Sequence, residues 1–241
     1  MINFAHRGAS SYYPENTFSA FYAGLFQGAT GLETDVRQTK DGVLVLFHDK
    51  DLTRVAGVEG SIGDFTYREL RDINIYRSLD DKSNYDRIAS LEDFLKQFHF
   101  RDLVFAIELK DEHIEAQVLA MLNKYNMAGK TVVTSFEYGN LRRARSIDPS
   151  IRLGYLAKEL NSETVPMLEE IRAYQICPKA EILTRELTGQ YRKLGYNVRA
   201  WGVKTEELMH RMIDTGVDGM TVNFPDVLTR ALKTKETQGR G

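Results

Sequence analysis

The stretch GLETDVRQTKDGVLVLF, Gly31–Phe47, decides how the whole chain is counted. Two β-type runs, Gly31–Val36 and Val43–Phe47, meet at TKDGV, Thr39–Val43. Asp41-Gly42 is the kind of dipeptide that reverses a chain tightly, because glycine takes positive φ at little cost. The two runs are therefore expected as one antiparallel ribbon. Seven more β-type runs lie outside it: Ile2–Ala5, Leu103–Leu109, Thr131–Thr134, Arg152–Leu156, Tyr174–Cys177, Asn197–Ala200 and Gly219–Val222. Setting the return arm aside turns nine candidate strands into eight.

Helix-like stretches fall between most of these runs, at Asn16–Gln27, Glu112–Tyr125, Tyr138–Ser146, Ser162–Ala173, Thr184–Leu194 and Thr205–Thr215. Strand and helix in alternation call for a parallel sheet with right-handed crossovers, so the class is α/β. Eight such strands in 241 residues fit a (βα)8 TIM barrel with an extra β-hairpin. The alternative, a doubly wound sheet, usually announces a glycine-rich turn after its first strand, and the chain has neither G-x-G-x-x-G nor a Walker A motif. Lys50–Ser90 breaks the rhythm with Gly, Asp, Arg and Tyr and a single helical piece near Thr66–Ile73. It reads as a small insertion after the hairpin, within one domain spanning residues 1–241. The closing KTKETQGRG is polar and expected to fray.

Composition narrows the partners. With 32 Lys+Arg against 34 Asp+Glu, the net charge of −2 sets up no field that would draw the protein onto nucleic acid or an anionic membrane. No run of about 18 apolar residues occurs, so stable membrane insertion is not expected. Cys177 is the single cysteine, which leaves neither an internal disulfide nor thiolate metal ligation. A small-molecule substrate and a cytoplasmic location are the expectations, unless a leader has been removed. The oligomeric state leaves no signal.

Side chains at i and i+2 of a strand share a face. Glu33 and Asp35 therefore project together from GLETDV, and Glu108 with Lys110 from FAIELK. A single acid late in a strand is ordinarily a solvated edge or a helix cap. Three carboxylates on one rim are different, because they repel unless a cation or a proton lies between them. Oxygen ligands alone suit Ca²⁺ or Mg²⁺. The hairpin sets Asp35 nearly opposite Phe47 and His48, and His6 ends the first strand on the same rim. Two imidazoles beside an acidic cluster can move protons in opposite directions near neutral pH. His99 and His210 carry no such company and read as structural; His113, just beyond the Glu108 strand, is the less secure of the dismissals.

Taken in order, HRG at His6–Gly8, PENT at Pro14–Thr17, ETD at Glu33–Asp35, HD at His48–Asp49, ELK at Glu108–Lys110, SF at Ser135–Phe136 and DGMTVNFP at Asp218–Pro225 resemble the glycerophosphodiester phosphodiesterase family across nearly the whole chain. The resemblance implies a phosphatidylinositol phospholipase C-like barrel that hydrolyses glycerophosphodiesters to sn-glycerol 3-phosphate and an alcohol. It also implies His6 and His48 as general acid and base, in an order left open. Glu33, Asp35 and Glu108 would hold a divalent cation, Ca²⁺ or Mg²⁺. Arg7 and Lys110 would contact the phosphate, and Trp201 would form an apolar wall. The insertion at Lys50–Ser90 matches one in the family and is expected to overhang the pocket and recognise the glycerol end. Where the family usually carries W-T-V-N, this chain has WGVK, Trp201–Lys204, so Gly202 and Lys204 depart from the pattern. The readings that compete are a lysophospholipase D-type phosphodiesterase and a non-catalytic barrel that binds a phosphorylated ligand.

Overall fold

In the computed structural model, which describes residues 1–238, the strands of the chain close on themselves. In chain order the elements are β1 Ile2–His6, α1 Phe18–Phe26, β2 Gly31–Gln38, β3 Leu44–Leu46, α2 Thr53–Ala56, α3 Tyr67–Leu70, β4 Asn74–Ser78, β5 Asp81–Arg87 and α4 Leu91–Phe98. They continue with β6 Val104–Leu109, α5 Glu115–Lys124, β7 Thr131–Ser135, α6 Tyr138–Ile147, β8 Arg152–Ala157, α7 Thr164–Glu170, β9 Gln175–Pro178, α8 Arg185–Lys193, β10 Asn197–Val203, α9 Glu206–Thr215, β11 Gly219–Val222 and α10 Pro225–Gln238. Eight strands, β1, β2 and β6 to β11, pair in parallel, and β1 joins both β2 and β11 to complete a TIM barrel. The expected return arm is β3, antiparallel to β2 with Val36 opposite Leu46. The Phe47 N–H then donates to the Asp35 carbonyl at 3.0 Å, which carries His48 onto the rim.

Helices follow from caps and apolar faces. Thr17 caps α1 through the Ala20 N–H, and Ser90 caps α4 through the Asp93 N–H. The α4 helix was not evident from periodicity, yet it buries Leu91, Phe94, Leu95 and Phe98. Phe94 meets Phe21 edge-on at 4.8 Å between ring centroids, an arrangement whose loss by truncation to alanine costs about 3–5 kcal/mol. The C-terminal sequence expected to fray is helical through Gln238, and Gly239–Gly241 lie outside the described residues.

Residues 50–90 hold more structure than the sequence suggests. The strands β4 and β5 form an antiparallel hairpin there, and β5, DKSNYDR, is so polar that no apolar alternation announces it. Val45, Phe47, Leu52, Val55, Ile62, Leu70, Ile75 and Ile88 form a core of their own beneath it.

The barrel interior is closed from below. Arg199 is 1% exposed, donates to Gln175 Oε1 and Thr221 Oγ1 at 3.0 Å each, and lays its guanidinium 5.1 Å from the Phe4 ring centroid. These side chains plug the floor, so the rim cavity above has a bottom.

Candidate active site

Register brings the acids together. Asp35 on β2 is paired with Glu108 on β6, and His6 on β1 with Glu33 on β2. Glu33, Asp35 and Glu108 are all buried and can each direct an oxygen so that the three lie within 4.8 Å of one another. Asp35 Oδ1 is buried and makes no hydrogen bond among the described residues. Three hard anionic donors and an orphaned oxygen fit a hard divalent cation such as Ca²⁺ or Mg²⁺. The electrostatics of the bare cluster state the same need. Burial and then Asp35 push Glu33 up to about 8, and the same two causes push Glu108 up to about 7. Burial works against ionising Asp35 too, but Arg7 and Lys110 outweigh it and hold that carboxyl below its ordinary range.

The turn after β1 explains how the cations reach this cluster. Arg7 has φ of 54° and Gly8 of 81°, so the chain doubles back in the left-handed region. A Cβ on Gly8 would lie 2.4 Å from the Ala20 carbonyl carbon, and only glycine fits. The Asn16 N–H closes the turn on the Arg7 carbonyl at 2.9 Å, while the Asn16 side chain donates to Asp35 Oδ2 at 3.0 Å. Arg7 is thereby aimed inward, Nε 2.9 Å from Asp35 Oδ2 and Nη1 3.0 Å from Glu15 Oε1. Lys110 Nζ lies 2.8 Å from Glu108 and 3.7 Å from Asp35.

Both histidines face the same cavity. His6 Nδ1 donates to Asn223 Oδ1 at 2.6 Å, which leaves Nε2 on the Glu33 side, 3.9 Å from its carboxylate. His48 Nδ1 donates to Asp49 Oδ1 at 2.6 Å, and Arg37 Nε holds the His48 carbonyl at 3.0 Å. In each ring one nitrogen is committed to an acceptor and the other is left for chemistry. Burial lowers both imidazoles, His6 to about 3, so both are neutral at pH 7 before a ligand arrives. A chain of alternating charge runs from the partner of His48 to the acidic cluster: Asp49 to Arg54 at 2.5 Å, Arg54 to Glu15 at 2.6 Å, Glu15 to Arg7 and Arg7 to Asp35.

The cavity encloses about 330 Å³. Beyond His6, Arg7, Glu33, His48 and Glu108, its wall is Phe136, Leu156 and Trp201, with Lys158 and Lys204 at the mouth. Trp201 meets Phe136 edge-on at 4.9 Å and anchors Nε1 on the Ala157 carbonyl at 3.3 Å. All eight residues singled out in the sequence thus occupy one rim, Asp35 and Lys110 from directly behind the lining acids. His99, His113 and His210 are elsewhere. The insertion behaves differently from the expectation: no residue between 50 and 90 lines this cavity, and its link to the site is Arg54. Asn223, Asp49, Asn16, Glu15 and Phe136 sat inside the quoted motifs without an assigned part; Arg54 and Lys158 carried no signal at all.

A barrel with three buried acids, two oriented imidazoles and two inward cations is a rim built to receive a phosphate ester. The chain belongs to the glycerophosphoryl diester phosphodiesterase family, whose sequence profile it matches over residues 6–227, and it is an enzyme of phosphodiester hydrolysis. It is 31% identical over 234 residues to the glycerophosphodiester phosphodiesterase of Caldanaerobacter subterraneus subsp. tengcongensis, covering 95% of this chain and 96% of that one. Against the glycerophosphodiester phosphodiesterase of Bacillus altitudinis it is 32% identical over 241 residues, covering 97% of each. Among solved structures, the glycerophosphodiester phosphodiesterase of Thermotoga maritima superposes with a TM-score of 0.78 at 28% identity, over 96% of this chain and 98% of that one. An Oleispira antarctica phosphodiesterase, solved in complex with the product sn-glycerol-3-phosphate, shares the fold with a TM-score of 0.82 at 24% identity, over 95% and 96%. No helix among the described residues is long and apolar enough to cross a membrane.

Proposed function

We propose that this single-domain enzyme hydrolyses glycerophosphodiesters to sn-glycerol 3-phosphate and an alcohol, using a divalent cation held by Glu33, Asp35 and Glu108. The observation that carries the proposal is the sharing of one cavity by that acidic cluster and both neutral imidazoles. A bound Ca²⁺ or Mg²⁺ would supply positive charge against the phosphoryl oxygens. Arg7 and Lys110, already beside the acids, add a guanidinium and an ammonium for the charge that builds as the phosphorus becomes five-coordinate. One imidazole removes a proton from the nucleophile, water or the glycerol 2-hydroxyl, as the new P–O bond forms, and on the second route water then opens the cyclic phosphate to glycerol 3-phosphate. The other must first take up a proton, which it then delivers to the alkoxide as the old P–O bond breaks. Asn223 and Asp49 keep the rings turned for these transfers. Trp201, Phe136 and Leu156 exclude water from one side of the phosphate, which strengthens every charge interaction within.

A cavity of about 330 Å³ with lysines at its mouth suits a simple diester better than a lysophospholipid. The test is phosphorus NMR of products from glycerophosphodiesters and lysophospholipids, with and without chelator. Glycerol 3-phosphate release that stops with chelator and returns with Ca²⁺ or Mg²⁺ is expected. Full turnover in dialysed, metal-free protein refutes it.

A further inference from the structure

The departure of WGVK from the family pattern has a physical cause in the strand itself. Pairing between β10 and β11 shifts register between Ala200 and Val203, and Gly202 sits in that bulge with φ of 74°. Such a φ strains any residue with a Cβ, and a β-branched threonine most of all. The bulge lets Trp201 and Lys204 both border the cavity. From the end of β8, two strands round the barrel from β10, Lys158 reaches the same mouth and holds Nζ 5.4 Å from the Phe136 ring centroid. Lys110 lies 6.0 Å from that same ring, so Phe136 has the lysine of the acidic cluster and the lysine of the mouth both within reach.

Lys158 and Lys204 are exposed, and neither makes an ion pair within 4.0 Å among the described residues, whereas Lys179 pairs with Glu181 at 2.9 Å, a carboxylate that Lys204 also stabilises from farther off, and Lys110 pairs with Glu108. Glu137 borders a side recess with Lys158 but is not paired with it. In a chain of net charge −2, two unpaired ammonium groups at the mouth of one cavity form a local field of the opposite sign. Every glycerophosphodiester has the glycerol half in common. The alcohol half is the one that differs between substrates.

Resting on the hydrolysis reading above, we propose that the enzyme prefers diesters whose alcohol half carries its own anionic group, a phosphate monoester or a carboxylate, which Lys158 and Lys204 receive at the mouth. The bridging phosphate stays at the acidic cluster, and the second anion lies beyond Phe136 and Trp201. The contacts are solvent-exposed, so each lysine contributes modestly and the pair is expected to give a preference of roughly fivefold to tenfold at low salt.

The decisive comparison uses glycerophosphoinositol 4-phosphate and glycerophosphoinositol, which differ by one phosphate on the alcohol half. The expected result is a kcat/KM ratio of about fivefold or more favouring the phosphorylated diester, carried by KM and shrinking as salt rises. In Lys158→Met/Lys204→Met that ratio should fall toward one. A wild-type ratio of one or less, or a ratio the double variant leaves intact, overturns the proposal. If neither diester is hydrolysed, the hydrolysis reading fails by itself. Calorimetric binding of the same two diesters then judges the anion preference: tighter binding of the phosphorylated one that the double variant loses supports it, and equal binding overturns it.

Discussion

Asp35→Asn and Glu33→Gln each remove one carboxyl group from the same cluster, yet the two should affect the metal-free protein differently. Asp35 is fully buried with Arg7 at 2.9 Å and Lys110 at 3.7 Å, and both cations are themselves mostly buried. Stripping the counter-charge from a buried pair costs roughly 3–5 kcal/mol, of which relief of repulsion with Glu33 and Glu108 returns a part, leaving about 3 kcal/mol. For a chain of this length that lowers Tm by roughly 6–12 °C. Glu33, by contrast, is raised to about 8 and takes up a proton on folding at pH 7 without a cation, so glutamine matches the neutral native group, escapes that cost and should leave the metal-free protein more stable than wild type at pH 7. The pH dependence follows with the opposite signs. A raised carboxyl such as Glu33 favours the fold fully below its ordinary value of 4.5 and loses that contribution as pH climbs through about 8. The lowered Asp35 contributes above its ordinary value of 3.8 and loses that contribution only as pH falls through its depressed native value. In chelator, wild-type stability should therefore decline between about pH 5 and 8, and Glu33→Gln should flatten the decline. Thermal unfolding across that range, in chelator and then with Ca²⁺ or Mg²⁺, measures both effects. Equal destabilisation by the two variants in chelator at pH 7 would refute the reasoning.

Other outcomes follow from the same geometry. His6→Ala and His48→Ala should each lower kcat/KM by ~10²-fold or more, and the double variant should be little worse than the poorer single one. On a p-nitrophenyl diester, whose leaving group needs no proton, only the variant lacking the general acid should recover; normal rates in both on natural diesters would exclude the two-histidine scheme. Arg54→Ala cuts the tie between Asp49 and Glu15 and should lower kcat severalfold and move a limb of the pH–rate profile, an effect that Arg54→Lys partly restores; an unmoved profile would leave Arg54 without a part in orienting His48. Gly202→Thr forces a β-branched residue to φ of 74° and should cost about 1–3 kcal/mol in denaturant unfolding; an unchanged midpoint would show the bulge relaxing freely.

What the sequence could disclose was whatever depends on strict period or local turn chemistry. Period two aligned Glu33 with Asp35 and Glu108 with Lys110, and Asp41-Gly42 delivered His48. The charge relay through Asp49, Arg54, Glu15 and Arg7 was hidden because it runs between loops, through left-handed turns at Arg7 and Asn16 that no hydrophobic pattern marks. The β4–β5 hairpin was hidden for the converse reason. Its second strand is solvated along its length, and alternation is visible only where one face is buried. The insertion was expected over the pocket from its position after His48, but it packs on Val45 and Phe47 at the outer side of the hairpin.

The closure of β1 between β2 and β11 has a consequence for how the enzyme comes into being. Every ligand of the acidic cluster and both imidazoles are encoded before residue 109, in the first half of the message. Yet His6 is oriented by Asn223, 217 residues later, and β1 has no second neighbour until Gly219–Val222 exists. A nascent chain halted anywhere before that last strand holds the acidic cluster and both imidazoles without the acceptor that orients His6. Closing the barrel and orienting His6 are thus a single event, reached when the two ends of the chain meet.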